Sequence, residues 1–291
     1  MTQSFLMCSP DYFGVHYSIN PWMTDKIGKV DPRRATRQWE DFFSTLARFA
    51  EIKLIQPQTH VPDLVFTANA GLLLKNKFIP SRFRHSERRG EEPFFRDWFQ
   101  SHGYQVVEWP GSVVFEGAGD VLPQPGKNLL WAANGFRTDL EAHGILASEL
   151  QIQIVSLQLV NPSFYHLDTC FCPLQDGKVM YYEKAFDTQS LKLIEEHTTP
   201  ENRIPVSDDD AGHFACNAVL VGNNIVLNHA GEDLENQLTN AGYTVFITPV
   251  TEFMKAGGAN KCLTLELDSG PEKKQKIEEM HAMPLAVESK G

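Results

Sequence analysis

The sequence predicts an α/β fold built as a closed, pseudo-fivefold ring of five ββαβ units. Two observations carry that expectation. Five segments share one grammar of polar residues, a short apolar strand, a turn and usually a second strand. Their leading residues, Phe66, Phe115, His166, Phe214 and Cys262, lie 48 to 51 positions apart. Between consecutive hairpins, apolar residues recur at helix spacing and are followed by one more strand. A unit that cannot bury its own apolar face must stack on its neighbours, and a fixed period is the signature of such stacking.

The 291-residue chain opens with the strand Phe5-Leu-Met-Cys8. Its expected hairpin partner lies at the far end, in Cys262-Leu-Thr-Leu-Glu-Leu267. Trp39, Phe42, Phe43, Leu46 and Phe49 mark a helix before the strand Ile52-Lys-Leu-Ile55. The next hairpin is Phe66-Thr-Ala-Asn-Ala-Gly-Leu-Leu-Leu74, turning at Lys75-Asn76, with a helix at Phe94, Phe95, Trp98 and Phe99 and a strand from Tyr104. Phe115-Glu-Gly-Ala-Gly-Asp-Val-Leu122 turns at Pro125-Gly126; Leu140, Ile145, Leu146 and Leu150 then precede Ile152-Gln-Ile-Val155. His166-Leu-Asp-Thr-Cys-Phe-Cys172 turns at Asp176-Gly177, ahead of Leu191, Leu193, Ile194 and the strand from Arg203. Phe214-Ala-Cys-Asn-Ala-Val-Leu-Val221 turns at Gly222-Asn223, ahead of Leu234, Leu238 and the strand from Tyr243. Asn-, Asp- and Pro-containing turns with glycine are the expected hairpin chemistry. Residues 1–269 are therefore expected to form one catalytic domain, and the charged residues 270–291 a tail or linker.

Composition excludes several function classes. A formal charge of -11 argues against nucleic-acid binding, which needs concentrated Lys and Arg. It favours approach of a small cation. No apolar run is long enough to span a membrane, and Met1 to Cys8 lacks a signal-peptide pattern. Five cysteines without framework spacing read as reduced thiols of a cytoplasmic protein.

In a closed ring, equivalent positions of the repeats converge on the axis. The first hairpin strands are expected to carry Asn69, Glu116, His166 with Asp168, and Cys262, so that thiol, imidazole and carboxylates from different repeats meet. Such a group suits covalent catalysis at carbon: a nucleophile, a proton carrier and anions to hold a cation. Cys262 follows Gly257-Gly258, which allow close backbone approach; in isolation it reads as a buried structural thiol. His166 and Asp168, two apart on a strand, should share a face. Cys170 and Cys172 lack metal-ligand spacing, so neither metal nor cofactor is expected. The carboxylates Glu116 and Asp120 beside Gly117 and Gly119 repel phosphate and suit a cation. The run Ser81-Arg-Phe-Arg-His-Ser-Glu-Arg-Arg-Gly90 reads as a solvated loop in which one guanidinium could grip a substrate carboxylate; Arg137 is a second candidate. Cys8 and Cys216 read as packing residues.

Together, Pro62-Asp-Leu-Val-Phe-Thr-Ala-Asn69, Phe115-Glu-Gly-Ala-Gly-Asp120, Phe164-Tyr-His-Leu-Asp168 and Gly257-Gly-Ala-Asn-Lys-Cys262 resemble the guanidine-modifying (pentein) superfamily over Phe5 to Leu267. The resemblance implies a five-bladed α/β propeller with Cys262 as nucleophile, His166 as general acid/base, and Glu116 and Asp168 gripping the guanidinium. It places Arg88, or its neighbour Arg89, and Arg137 at the substrate carboxylate, with Asp63 beside the substrate. Deiminases of this superfamily read Phe-Thr-Arg-Asp where this chain reads Phe66-Thr-Ala-Asn69. The neutral Asn69, supported by Asn20, implies an arginine dihydrolase that retains citrulline for a second attack and releases ornithine, two ammonia and carbon dioxide. One-step hydrolases releasing citrulline, amidinotransferases and a non-catalytic propeller protein are the alternatives. With Ile19-Asn-Pro-Trp-Met23, the motifs most resemble the arginine dihydrolase domain of the cyanobacterial ornithine–ammonia cycle. There it is followed by an ornithine-processing domain, an expected fused partner. A homo-oligomer is compatible with the sequence.

Overall fold

The computed structural model describes residues 2–267; the expected tail at 270–291 lies outside them. The chain begins with strand β1 (Ser4–Cys8), helix α1 (Pro32–Leu46) and strand β2 (Glu51–Ile55). Asp31 caps α1 by accepting from the amides of Arg33 and Arg34, with Pro32 in the first turn, where its missing N–H costs nothing. Trp39, Phe42 and Leu46 form its buried stripe.

Four hairpin–helix–strand units follow. The first is β3 (Gly71–Leu74), β4 (Lys77–Pro80), α2 (Glu92–Ser101) and β5 (Gln105–Val106). The second is β6 (Val121–Pro123), β7 (Leu129–Asn134), α3 (Leu140–Leu150) and β8 (Gln153–Gln158). The third is β9 (Phe171–Pro173), β10 (Val179–Tyr181), α4 (Thr188–His197) and β11 (Arg203–Pro205), after which comes the short helix α5 (Asp208–Gly212). The fourth is β12 (Val219–Val221), β13 (Asn224–Leu227), α6 (Glu232–Asn240) and β14 (Thr244–Ile247). Helix α7 (Thr251–Met254) leads to the last strand, β15 (Leu265–Leu267).

Each unit makes a three-stranded sheet of one antiparallel hairpin and one parallel strand. The fifth sheet joins the two ends of the described chain: Ser4 to Leu6 pair antiparallel with Leu267 to Leu265, and β1 pairs parallel with β2. This is a mixed α/β fold of five small sheets, and the strand and helix patterns read from the sequence appear in their expected order.

One expectation fails in detail. The polar motif residues do not sit on the first hairpin strands. Asn69 lies in a 3-10 turn over Thr67–Ala70, Gly117–Gly119 form another after Glu116, and Asp168 lies in a third over Leu167–Thr169. His166 is extended, so it and Asp168 do not alternate along one strand. The reason is backbone bookkeeping: each turn closes on its own carbonyl, Asn69 N to Phe66 O, Asp120 N to Gly117 O and Cys170 N to Leu167 O, at 3.1 Å in all three cases. Buried main-chain groups are thereby satisfied without a neighbouring strand.

Leu6 is fully buried in β1 against the sheet that joins the chain ends. Leu6→Ala should lower unfolding free energy by about 3 kcal/mol, read as a reduced denaturant midpoint; a change below about 1 kcal/mol would mean that this sheet is dispensable.

Candidate active site

A narrow cavity is lined by Asp63, Asn69, Arg88, His166 and Cys262, with Asn20, Phe66, Arg137 and Tyr165 also on its wall. Thiol and imidazole from segments almost a hundred positions apart thus face one space. A larger cavity on the other side of this wall is lined by Asp168 itself, with Phe171, Cys172, Cys216 and Lys261. It contains neither Cys262 nor His166, so the reactive groups belong to the smaller one.

Cys262 is buried, and its Sγ lies 3.5 Å from Asp168 Oδ2. Asn217, which the sequence reading passed over, holds this corner together. Its Nδ2 donates to Cys262 Sγ at 3.2 Å and to Asp168 O at 2.9 Å. Its Oδ1 accepts from the amides of Cys262 and Ala259 at 3.0 and 3.2 Å. The signal was present: Asn217-Ala in the fourth repeat occupies the register of Asn69-Ala in the first.

Burial raises the Cys262 thiol well above the ordinary value, and the Asp168 carboxylate beside it raises it further. Burial also pushes Asp168 up to about 7, against the charge of Lys261 and the hydrogen bonds from Cys262 and Asn217. Asp168 Oδ1 is buried and has no hydrogen-bond partner. Cys262, on the wall of the smaller cavity, is thus held toward its neutral thiol beside Asp168, whose carboxyl group is short of donors and also lines the larger cavity.

Glu116 is wholly buried, and burial opposes its charge; Arg137 and His166 outweigh burial and hold it well below the carboxylate range. Its Oε2 accepts from His166 Nε2 at 2.7 Å and Arg137 Nη1 at 3.0 Å, while Oε1 accepts from the amide of Arg84 at 3.0 Å. Three of its four acceptor sites are thus occupied. Glu116 thus bonds the imidazole and one arginine, with one acceptor site left over. Its bond fixes Nε2 as the protonated nitrogen, leaving Nδ1 as the proton acceptor of the neutral ring.

The arginine question resolves on burial. Arg89 is turned to its own loop, donating to the carbonyls of Phe83 and Arg84. Arg88 is buried, correcting the reading of this segment as wholly solvated. Glu91 grips it in two bonds of 2.7 and 2.8 Å, and burial, which works against its charge, is overridden by that pairing. Arg88 also donates to Asp63 O at 3.3 Å and to Asn69 Oδ1 at 2.8 Å, so one of its five N–H groups remains. Arg137 lies over the Tyr165 ring and donates to Glu116 and to Ile19 O, leaving three. Arg137 is the better placed to receive a substrate carboxylate.

Asn69 is oriented by this network. With Oδ1 accepting from Arg88, its Nδ2 is the donor at the cavity wall, held on one side by Glu116 O at 3.4 Å. A Cβ on Gly119 would lie 2.4 Å from that nitrogen, so glycine is required there for close approach. Asp63 accepts from Tyr17 Oη at 2.8 Å and has a second oxygen with no partner; burial raises its pKa. Asn20 is mostly structural: its Oδ1 caps the turn at Trp22 and Met23, and its Nδ2 donates to Ala256 O. Gly257, at φ +89°, brings its carbonyl to Tyr165 Oη at 2.8 Å. Cys170 and Cys172 are buried, with Cys170 Sγ against the His166 and Leu167 carbonyls.

A buried thiol, an imidazole fixed by a carboxylate and unpartnered acid oxygens around a flat slot can bind a planar cation and attack its carbon. Residues 16–268 match the family described as N,N dimethylarginine dimethylhydrolase, eukaryotic. The chain belongs to that family.

Within the dimethylarginine hydrolase family, the chain is 50% identical over 263 residues to the bifunctional arginine dihydrolase/ornithine cyclodeaminase AgrE of Nostoc sp., covering 90% of this chain and 37% of AgrE. It thus spans little more than a third of that relative. It is 39% identical to the N(G),N(G)-dimethylarginine dimethylaminohydrolase of Mycobacterium tuberculosis, covering 91% of this chain and 86% of that one. The N-terminal domain of ArgZ, solved covalently bound to a reaction intermediate, superposes with a TM-score of 0.90 at 47% identity, over 91% of this chain and 98% of that one. Among the described residues, no helix is long and apolar enough to cross a membrane.

Two outcomes follow for this family member. Asn217→Ala should lower kcat about 10²-fold, with KM within about threefold and the fold intact by circular dichroism; an unchanged kcat would remove Asn217 from the thiol's support. Asp168 holds its proton more tightly folded than unfolded, so its stabilising contribution is full below about pH 4 and is lost as pH rises through about 7. Asp168→Asn should therefore make the empty protein more stable than the parent at about pH 8, a margin that closes toward pH 4, while abolishing turnover. A variant less stable at both pH values would contradict the ionisation scheme.

Proposed function

We propose that this chain is an arginine dihydrolase, converting L-arginine and two waters to ornithine, two ammonia and carbon dioxide without a cofactor. The observation that carries it is the fixed Asn69 amide. Arg88 occupies its oxygen and leaves its NH₂ as the donor. A donor at that point suits a ureido oxygen, whereas an aspartate there would repel one. Citrulline is thereby retained rather than released. The relatives that are about half identical, AgrE and ArgZ, are described as arginine dihydrolases.

The substrate guanidinium enters beside Asp168 and Asp63, whose unpartnered oxygens receive its N–H groups. Its charge makes thiolate and carboxylate affordable together. Cys262 attacks the guanidinium carbon, and the thiol proton, carried by His166, departs with the first ammonia. Water, activated by His166, cleaves the thiouronium adduct to citrulline. Cys262 attacks again, a second ammonia leaves, and hydrolysis of the carbamoyl thioester type adduct gives ornithine and carbon dioxide. Glu116 keeps the imidazole oriented through both rounds, and Arg137, with the remaining Arg88 N–H, receives the α-carboxylate.

Three further readings accompany this one. The five sheets among the described residues close as a five-bladed propeller, a reading supported by the shared sheet of β1 and β15. The five free, buried cysteines suit a cytoplasmic setting. The covered fraction of AgrE suits a longer native protein carrying an ornithine-processing domain.

A product balance tests the reaction. Two ammonia and one ornithine per arginine are expected, with little free citrulline; one ammonia with stoichiometric citrulline would overturn the dihydrolase. Asn69→Asp should make citrulline the main product. Dimethylarginine, the substrate named for the mycobacterial relative, is run alongside and should be turned over at least about tenfold less efficiently than arginine.

A further inference from the structure

Away from the pocket, Asp209 and His213 stand four residues apart at α5, and His229 approaches from the segment after β13. Each offers one ligand atom, and these atoms lie within 4.8 Å of one another. His229 Nε2 is buried, has no hydrogen-bond partner, and lies 3.9 Å from Asp209 Oδ2 and 3.7 Å from Asp210 Oδ1. A buried imidazole nitrogen aimed at two carboxylates with no bond made is an unfilled requirement. The His213 and His229 rings sit 4.5 Å apart, centroid to centroid. His213 Nδ1 lies 2.9 Å from Asp209 O and 3.9 Å from Asp209 Oδ1.

We propose that Asp209, His213 and His229 form a binding site for a divalent transition-metal ion of the zinc class. Two imidazoles and a carboxylate are a donor set for zinc, not for calcium or magnesium. Ligand atoms about 2.0–2.1 Å from a tetrahedral zinc lie about 3.4 Å from each other, so the 3.9 Å gap between His229 and Asp209 closes with a few tenths of an ångström. Asp210 cannot swing in as a full ligand. Ser207 Oγ holds its Oδ2 and the amide of Gly231 its Oδ1, both at 2.6 Å, so it contributes charge from a fixed position. The side chain of Asp209 is 80% exposed and that of His213 47%, so an ion reaches the site from solvent.

No spacing in the sequence marks this cluster, since the expectation of no metal rested on Cys170 and Cys172 and His229 lies sixteen residues beyond His213. The site also has a route to the pocket wall. Phe214, next to His213, holds φ +53°, and its ring lies 4.3 Å from that of Trp22, within the turn capped by Asn20. A bound ion would brace α5 against the β13 segment and so the outer support of that turn. This proposal stands apart from the reaction assigned above.

The test is calorimetric titration of Zn²⁺ into the full chain carrying Cys262→Ser, which removes the pocket thiol as a competing ligand. One equivalent should bind. His213→Ala and His229→Ala, on separate segments, should each weaken binding at least about tenfold, and Asp209→Asn, at an exposed position that the fold does not need, by several-fold. Co²⁺ at the site should give tetrahedral visible bands without the thiolate charge-transfer absorption that cysteine ligation adds. Binding weaker than about 1 mM, or binding unchanged by both histidine substitutions, overturns the proposal. Full retention of affinity in Asp209→Asn removes the carboxylate from it.

Discussion

Two buried acids that cannot both ionise side by side set the terms for the whole site. Cys262 Sγ and Asp168 Oδ2 are 3.5 Å apart, both residues are buried, and no cation touches the pair directly. Two negative charges at that range without water repel strongly, and burial disfavours each even alone. The pair is thus stable while the thiol is neutral, and in the proposed reaction it becomes reactive when the guanidinium enters. Under the proposed reaction the substrate's own charge gates reactivity, protecting a nucleophile that would otherwise meet any small electrophile.

The surrounding architecture serves that gate. Two arginines lie in the wall, yet neither is free to neutralise Asp168: Glu91 neutralises Arg88, and Glu116 neutralises Arg137. Removing either glutamate would leave a buried, uncompensated guanidinium, a costly state. The same two pairs do second duties, since Arg88 turns Asn69 and Glu116 turns His166. Short turns ahead of the strands make this possible. They satisfy their own backbone and let polar side chains of separate repeats point inward, which alternating strand residues could do only on one face.

The fold was legible in the sequence because periodic burial writes itself into periodic residues. Helices α1, α2, α3, α4 and α6 follow their apolar spacing, and the pairing of β1 with β15 follows from the fifth repeat lacking a partner strand. Cys262, His166, Glu116, Asp168 and Asn69 could be singled out because each falls within the first few residues of a repeat motif. What was lost depended on orientation, which spacing does not encode. Glu91 was missed because it belongs to no repeat motif, and its importance arises only when Arg88 is buried. Asn217 shares the repeat register but looks like any polar turn residue until its amide is seen bridging Cys262 and Asp168. Asn20 was assigned to substrate, though most of its hydrogen bonds serve its own turn.

The most direct test is the ionisation of Cys262 itself, followed by thiolate ultraviolet absorbance against Cys262→Ser across pH, with and without a bound, unreactive guanidinium. In the empty protein the thiol should stay protonated past its ordinary value of about 8.5, and filling the slot with the cation should bring thiolate out near neutral pH. A Cys262 thiolate present at neutral pH in the empty protein, or a titration that the cation leaves unmoved, would contradict the charge-gated site.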